Sequence, residues 1–209
     1  MSELCSPLGT GSRQTVHLAP RSKFRLAFLA VPLILALFAG GREARSLELH
    51  GTIWEEAANR AGVADPLLLY AISLVEAGRS AGSGRIAPWP WTVRTPNGPV
   101  FAESREAAEV LLRTLPRDSN SDVGLMQVNL RHNGHLAASV EDLLDPPSNL
   151  RIAASILRRA MDSIPLDPVL GVGRYHSWTD WRAREYGTLV WTTYYGLAGL
   201  RRLIRSGGG

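Results

Sequence analysis

Among the 209 residues, the group with the strongest claim to chemistry is the carboxyl of Glu76. It closes the run Pro66-Leu67-Leu68-Leu69-Tyr70-Ala71-Ile72-Ser73-Leu74-Val75-Glu76, which reads as a helix that is apolar, and therefore buried, on nearly every side. At the last turn of such a helix, with Leu69, Ile72 and Ser73 on its face, a carboxylate meets desolvation and the negative end of the helix dipole together. Both favour the protonated form. A carboxyl still protonated near neutral pH can serve as the general acid that cleavage of a glycosidic bond requires. The competing reading leaves Glu76 in solvent at the helix end, beside Gly78 and paired with Arg79, and position alone does not choose between them.

Other constellations offer less. His132 and His135 are three residues apart, but Asn133-Gly134 between them breaks a helical pairing, so no metal site is expected. Ser73 and His176 lack the strand-turn-helix context of an activated serine, and no glycine-rich phosphate loop follows a strand. No cofactor is implied. A single cysteine, Cys5, excludes an internal disulfide, a paired-cysteine redox site and a cysteine-rich zinc site. Of the 23 basic residues 22 are Arg, a bias that fits a GC-rich genome better than a nucleic-acid surface. The pairs Arg158-Arg159 and Arg201-Arg202 read as solvated helix faces.

The elements that must position Glu76 are nearly all helical. Leu47 to Arg60 reads as a first helix with Gly62 as its left-handed cap, and Asp65-Pro66 opens the Glu76 helix with a capping carboxylate and a proline at the first position. Residues 87–101 depart from this pattern: Pro88-Trp89-Pro90-Trp91 and the Asn97-Gly98 turn between β-prone runs predict a small hairpin or an ordered loop. Ser104 caps a helix through Leu115, Asp145-Pro146 or Ser148 opens one through Met161, Asp167-Pro168 another, and Asp180 a last one to about Ile204. With no internal repeat and no long linker, residues 42–209 form one mainly α domain with a small β-hairpin insertion.

Residues 1–41 stand apart. Arg13, Arg21, Lys23 and Arg25 precede the apolar stretch Leu26 to Ala39, and Ala39-Gly40-Gly41 supplies small residues for a signal peptidase. The 14-residue stretch, interrupted by Pro32, is short of the roughly 20 residues that span a bilayer. The expectation is a cleaved secretory signal, with a retained N-terminal anchor as the alternative, and a mature protein without a stable membrane span. Its charge is uneven: 10 Arg against 14 acids over 42–145, and 9 Arg against 4 acids over 146–209. The second part is where anionic stem peptides or an anionic membrane would be drawn.

Four segments in order carry a resemblance. Ser121-Asp122-Val123-Gly124-Leu125-Met126-Gln127-Val128-Asn129, read after the Glu76 helix, resembles the Gly-Leu-Met-Gln signature of lytic transglycosylases related to goose-type lysozyme. Asp145 to Met161 is similar to the family's Asn-led helix, Val172-Gly173-Arg174-Tyr175-His176-Ser177 to its Ala-x-x-Tyr-Asn segment, and Glu185-Tyr186-Gly187-Thr188-Leu189-Val190 to its late Tyr-Val helix. The resemblance spans about Leu47 to Tyr195. It implies a lysozyme-like fold and a monomeric enzyme of the cell wall, without cofactor or metal. Glu76 would be its one catalytic acid, with Met126, Gln127, Asn149, Tyr175 and Tyr186 along the glycan.

The residues themselves leave room for humbler roles. Asn149 shares a face with Ile152 and Ile156 and must either bind something or tie the helix start to a loop. Tyr186 shares a face with Leu189, Val190 and Thr193, so its ring points inward and its hydroxyl needs a partner. Tyr175 contacts the site or only packs. Gln127 lies in what reads as an extended segment preceded by Gly124, able to bring its amide to a sugar, and Met126 reads as cleft wall. Trp89 and Trp91 stack on sugar rings or form an aromatic clamp.

The chain departs from the family pattern in three places. The serine that usually follows the catalytic glutamate is Ala77, the Tyr-Asn pair is Tyr175-His176, and Glu76 and Gln127 are widely spaced by the tryptophan insertion and the Ser104 helix. In look that insertion resembles the specialised transglycosylases of conjugation and pilus machines. The implied activity is cleavage of the β-1,4 bond between N-acetylmuramic acid and N-acetylglucosamine with 1,6-anhydromuramic acid formation, in the periplasm, opening the wall for a secretion or conjugation apparatus. The alternatives are a hydrolytic muramidase, with Asp122 as the nearest second carboxyl although it reads as a turn-former, and a non-catalytic peptidoglycan-binding assembly factor.

Overall fold

The computed structural model describes residues 47–82, 84–116 and 118–207. The expected export segment and Cys5 lie outside the described residues.

Helix α1 (Ile53–Ala61) ends on Gly62 at φ 69°, a left-handed cap that glycine adopts without a Cβ penalty. It starts later than Leu47 because Glu55 folds back on the preceding turn, accepting from the Gly51 N–H at 2.7 Å and contacting His50 Nδ1 at 2.8 Å. Leu47 and Leu49 are still buried, packed with Leu67, Ala71, Leu197 and Ala198. Helix α2 (Pro66–Ala77) is capped by Asp65, which accepts from the Leu67 N–H at 2.9 Å. Leu67, Leu69, Ala71 and Ile72 have no exposed surface, so α2 is the central helix its composition calls for.

Beyond α2 the chain makes two small sheets. Strand β1 (Gly78–Ser80) pairs antiparallel with β2 (Ile86–Pro88). Strands β3 (Thr92–Thr95) and β4 (Gly98–Phe101) form the hairpin foreshadowed by Asn97-Gly98. That hairpin is not a free insertion: β3 also pairs with β5 (Asp122–Val123), and β5 with β6 (Val128–Asn129), giving the antiparallel order β4-β3-β5-β6. The register places Arg94 opposite Asp122, and Asp122 opposite Asn129. Strands of two residues give no alternation to read, which is why this sheet was hidden in the sequence.

The remaining helices are α3 (Arg105–Arg113), α4 (Leu130–Asn133), α5 (Pro146–Asp162), α6 (Pro168–Gly173) and α7 (Asp180–Gly207). Ser104, Asp145 and Asp167 cap α3, α5 and α6, each accepting from a backbone N–H three residues on. Among the described residues no helix is long and apolar enough to cross a membrane.

Helices α6 and α7 touch backbone to backbone. A Cβ on Gly173 would lie 1.9 Å from the Ala183 carbonyl oxygen, and one on Gly187 would lie 2.0 Å from that of Val169. Neither neighbour is a side chain that can swing away, so the contact admits only glycine. Gly187 adjoins Tyr186, and the turn leaving α6 carries Tyr175 and His176, so this crossing sets three side chains of the candidate site at once. Gly187→Ala is expected to cost about 2–4 kcal/mol in denaturant-induced unfolding. Gly199→Ala, on the same helix with nothing within 4 Å of the added Cβ, is expected to add about 0.5–1 kcal/mol.

Candidate active site

Glu76 stands one residue before the end of α2 and is half-buried. Its Oε1 accepts a 2.6 Å hydrogen bond from the hydroxyl of Tyr186, a residue of α7 only 2% exposed. Arg79 is engaged elsewhere, its guanidinium 4.6 Å from the centroid of the Trp89 ring. Burial pushes the Glu76 carboxyl up to about 7; the Tyr186 hydrogen bond opposes this, the charge of Asp122 adds to it, and Arg94 opposes it. Near neutral pH the carboxyl is thus poised both to give and to take a proton.

Tyr175 reaches the same place from the turn after α6. Its hydroxyl donates to the Met126 carbonyl at 2.7 Å. Burial, then the charge of Glu76, hold both Tyr175 and Tyr186 well above the usual phenol range; the charge of Asp122 adds to this at Tyr175, and Tyr175 and the hydrogen bond to Glu76 add to it at Tyr186. Both hydroxyls therefore remain donors.

Asp122, the nearest second carboxyl, lies in β5 rather than in a turn. Its Oδ1 accepts from Asn129 Nδ2 at 2.7 Å, and its Oδ2 is 3.5 Å from Arg94 Nε. Burial raises its pKa against the opposing pull of Asn129, Arg94 and His132. Sequence reasoning missed Arg94, whose only signal was its place in a β-prone run.

The segment between β5 and β6 is a tight turn, not extended chain. Gly124 has φ 84° and Gln127 φ 48°, the latter a left-handed conformation that a non-glycine residue holds only when its surroundings insist. They do insist. Gln127 Nε2 donates to the carbonyls of Thr92 at 3.1 Å and Gly124 at 2.9 Å. From α5, Asn149 Oδ1 accepts from the Met126 N–H, and Asn149 Nδ2 donates to the carbonyls of Val123 and Leu143, all at 2.9 Å. A Cβ on Gly124 would lie 2.3 Å from Asn149 Nδ2, so the glycine is what lets the clamp close.

This placement corrects three expected sugar contacts. Asn149 is 1% exposed with both amide hydrogens engaged, Gln127 spends its amide donors on the carbonyls of Gly124 in the turn and Thr92 in β3, and the Met126 side chain is core rather than cleft wall. What Met126 brings to the site is its backbone carbonyl. The structure gathers Glu76, Tyr175, Tyr186 and Asp122 around that turn.

Trp89 and Trp91 pack edge to face at 5.3 Å, and Trp89 Nε1 donates to the Ala102 carbonyl at 2.6 Å. Both rings are half-buried, and Arg79 covers Trp89, which leaves them knitting the β3–β4 hairpin to the end of α2. His176 stacks on Tyr186 with ring centroids 4.8 Å apart and planes 7° from parallel. Among the described residues no group of three or more His, Cys, Asp or Glu could hold a metal ion.

Residues 100–179 match the family model of the transglycosylase SLT domain. The match takes in the Gly124–Gln127 turn, Asn149 and Tyr175, and leaves Glu76 and Tyr186 outside it. No curated protein and no solved structure matches the chain.

Two outcomes follow from the raised pKa of Glu76. The folded protein keeps a proton there that the unfolded chain has released, so stability falls as pH rises from about 4.5 through about 7. Glu76→Gln, whose amide oxygen can still accept from Tyr186, is expected to be more stable than the parent by about 1–3 kcal/mol at pH 8 and nearly equal to it at pH 4, measured by urea unfolding. Tyr186→Phe deletes a bond that favours the ionised form. In that variant the Glu76 carboxyl should titrate about one unit higher by carbon-13 NMR.

Proposed function

We propose that the protein is a peptidoglycan lytic transglycosylase that cleaves the β-1,4 bond between N-acetylmuramic acid and N-acetylglucosamine. The observation that carries this reading is a single carboxyl, Glu76, held near pH 7 by burial with a buried tyrosine on one oxygen, beside a segment that matches the transglycosylase SLT domain.

One carboxyl is enough for both halves of the reaction. Protonated Glu76 gives its proton to the glycosidic oxygen as the bond from the muramyl C1 breaks, and the sugar's own N-acetyl group stabilises the cationic centre. The Glu76 carboxylate then takes the proton of the muramyl 6-hydroxyl, whose oxygen bonds to C1. The products are a 1,6-anhydromuramyl end and a free N-acetylglucosamine 4-hydroxyl; Glu76 regains its proton and no water is consumed. A pKa near the working pH suits a group that must act as acid and then as base.

The coupling of Asp122 to Glu76 favours a second reading, hydrolysis, in which Asp122 orients a water molecule and the usual two-carboxylate scheme applies. Export ahead of residue 42 and service to a secretion or conjugation apparatus belong to the same proposal. They rest on the basic-then-apolar N-terminal sequence and on the Trp89/Trp91 insertion.

Purified protein incubated with peptidoglycan sacculi, with the released muropeptides weighed by mass spectrometry, tests the proposal. Anhydro-muropeptides should appear and fall by about a thousandfold in Glu76→Gln, while Asp122→Asn still yields anhydro ends. Reducing ends that vanish in Asp122→Asn would establish hydrolysis instead. Binding to sacculi with no release would make the protein a wall-binding factor and end both catalytic readings.

A further inference from the structure

The Tyr186 hydroxyl is the hydrogen-bond donor to Glu76 among the described residues, and the neighbouring Ala77 has no polar side-chain atom to share that task. What fixes the Tyr186 ring therefore fixes the acid. One edge of the problem is solved by the Gly187 contact, which sets the backbone. The face of the ring is met by His176, parallel to it at 4.8 Å.

We propose that His176 is a positioning residue for Glu76: its imidazole, stacked flat on Tyr186, locks the tyrosine ring and shields the Tyr186–Glu76 hydrogen bond from water. The position is well suited to this. His176 leaves α6 in a turn closed by its own N–H donating to the Gly173 carbonyl at 3.0 Å, so the helix crossing that places Tyr186 also places the ring that covers it. His176 is itself exposed, on the solvent side of a tyrosine that is not.

Desolvation and the surrounding charges disfavour protonation of that cover. Although one side of His176 faces solvent, the neighbours on its other side take water from the ring, and this loss, then the charges of Arg94 from β3 and Arg182 from α7, hold the imidazole below its usual pKa, while Glu76 of α2 lies beyond Tyr186. A protonated imidazole there would face two guanidinium groups and would favour the ionised form of Glu76 through the intervening ring. A neutral one leaves the acid protonated.

The role rests on the transglycosylase reading, but its test does not. In full-length protein labelled with carbon-13 glutamate, the Glu76 carboxyl is assigned by its loss in Glu76→Gln and titrated in His176→Ala and His176→Phe. Opening the stack should let water reach the pair, so His176→Ala is expected to titrate about one unit below the parent, and His176→Phe, which restores a flat ring, at the parent value. On soluble glycan strands His176→Ala should lose about tenfold in kcat with KM within about twofold, and His176→Phe should recover most of it. A parental Glu76 titration in His176→Ala overturns the proposal, as does a His176→Phe variant displaced as far as His176→Ala. If the parent releases nothing from sacculi, the proposed activity fails while the titrations still decide the role of His176.

Discussion

The removal of one carboxyl from water organises this fold. A carboxylate at the last turn of an apolar helix is an unfavourable thing to bury, and the protein tolerates it by letting the group keep its proton and giving it one strong hydrogen bond. Tyr186 supplies that bond from the far end of the sequence. For the tyrosine to arrive, α7 must lie against α6 at backbone contact, which is why Gly173 and Gly187 face carbonyl oxygens. The helices around α2 thus do more than cover a core.

The turn from Gly124 to Gln127 plays the complementary part. Its polar side chains look like ligands for a sugar when read as residue types, yet Asn149 and Gln127 spend themselves on backbone carbonyls and N–H groups of the turn and the strands beside it. The result is a ledge held from within, whose Met126 carbonyl is buried and accepts the hydroxyl of Tyr175. A segment with a recognisable sequence can be recognisable because its backbone is difficult to build, and the left-handed Gln127 is an instance.

Much of this was legible. Pro after Asp at positions 65 and 167, Gly62, and the Asn97-Gly98 turn mark local structure whose causes lie within a few residues, and the elements formed there. The inward face of Tyr186 also followed from its helical neighbours. Less legible was anything decided by partners distant in sequence. Asp122 read as a turn-former because Asp118-Ser119-Asn120-Ser121 precede it, whereas its pairing with Arg94 across the sheet makes it a strand residue. Asn149 was readable as a buried amide but not as a clamp, since two of its three partners are 23 and 26 residues away. The first helix lost its expected opening residues because Glu55, in its first turn, reaches back to the Gly51 N–H and closes the preceding turn.

The two ends of α2 are fastened to the same late helix. Tyr186 holds Glu76 at one end across 110 residues of sequence, and Tyr194 holds Asp65 at the other across 129, joined there by Arg201 at 3.0 Å. Contacts of such separation form only after most of the chain has been made and collapsed. A nascent or unfolded copy therefore carries Glu76 as an ordinary carboxylate, ionised and without its tyrosine. The carboxyl with the raised pKa thus comes into being only with the completed fold, and local loosening at either end of α2 would return it to an ordinary carboxylate.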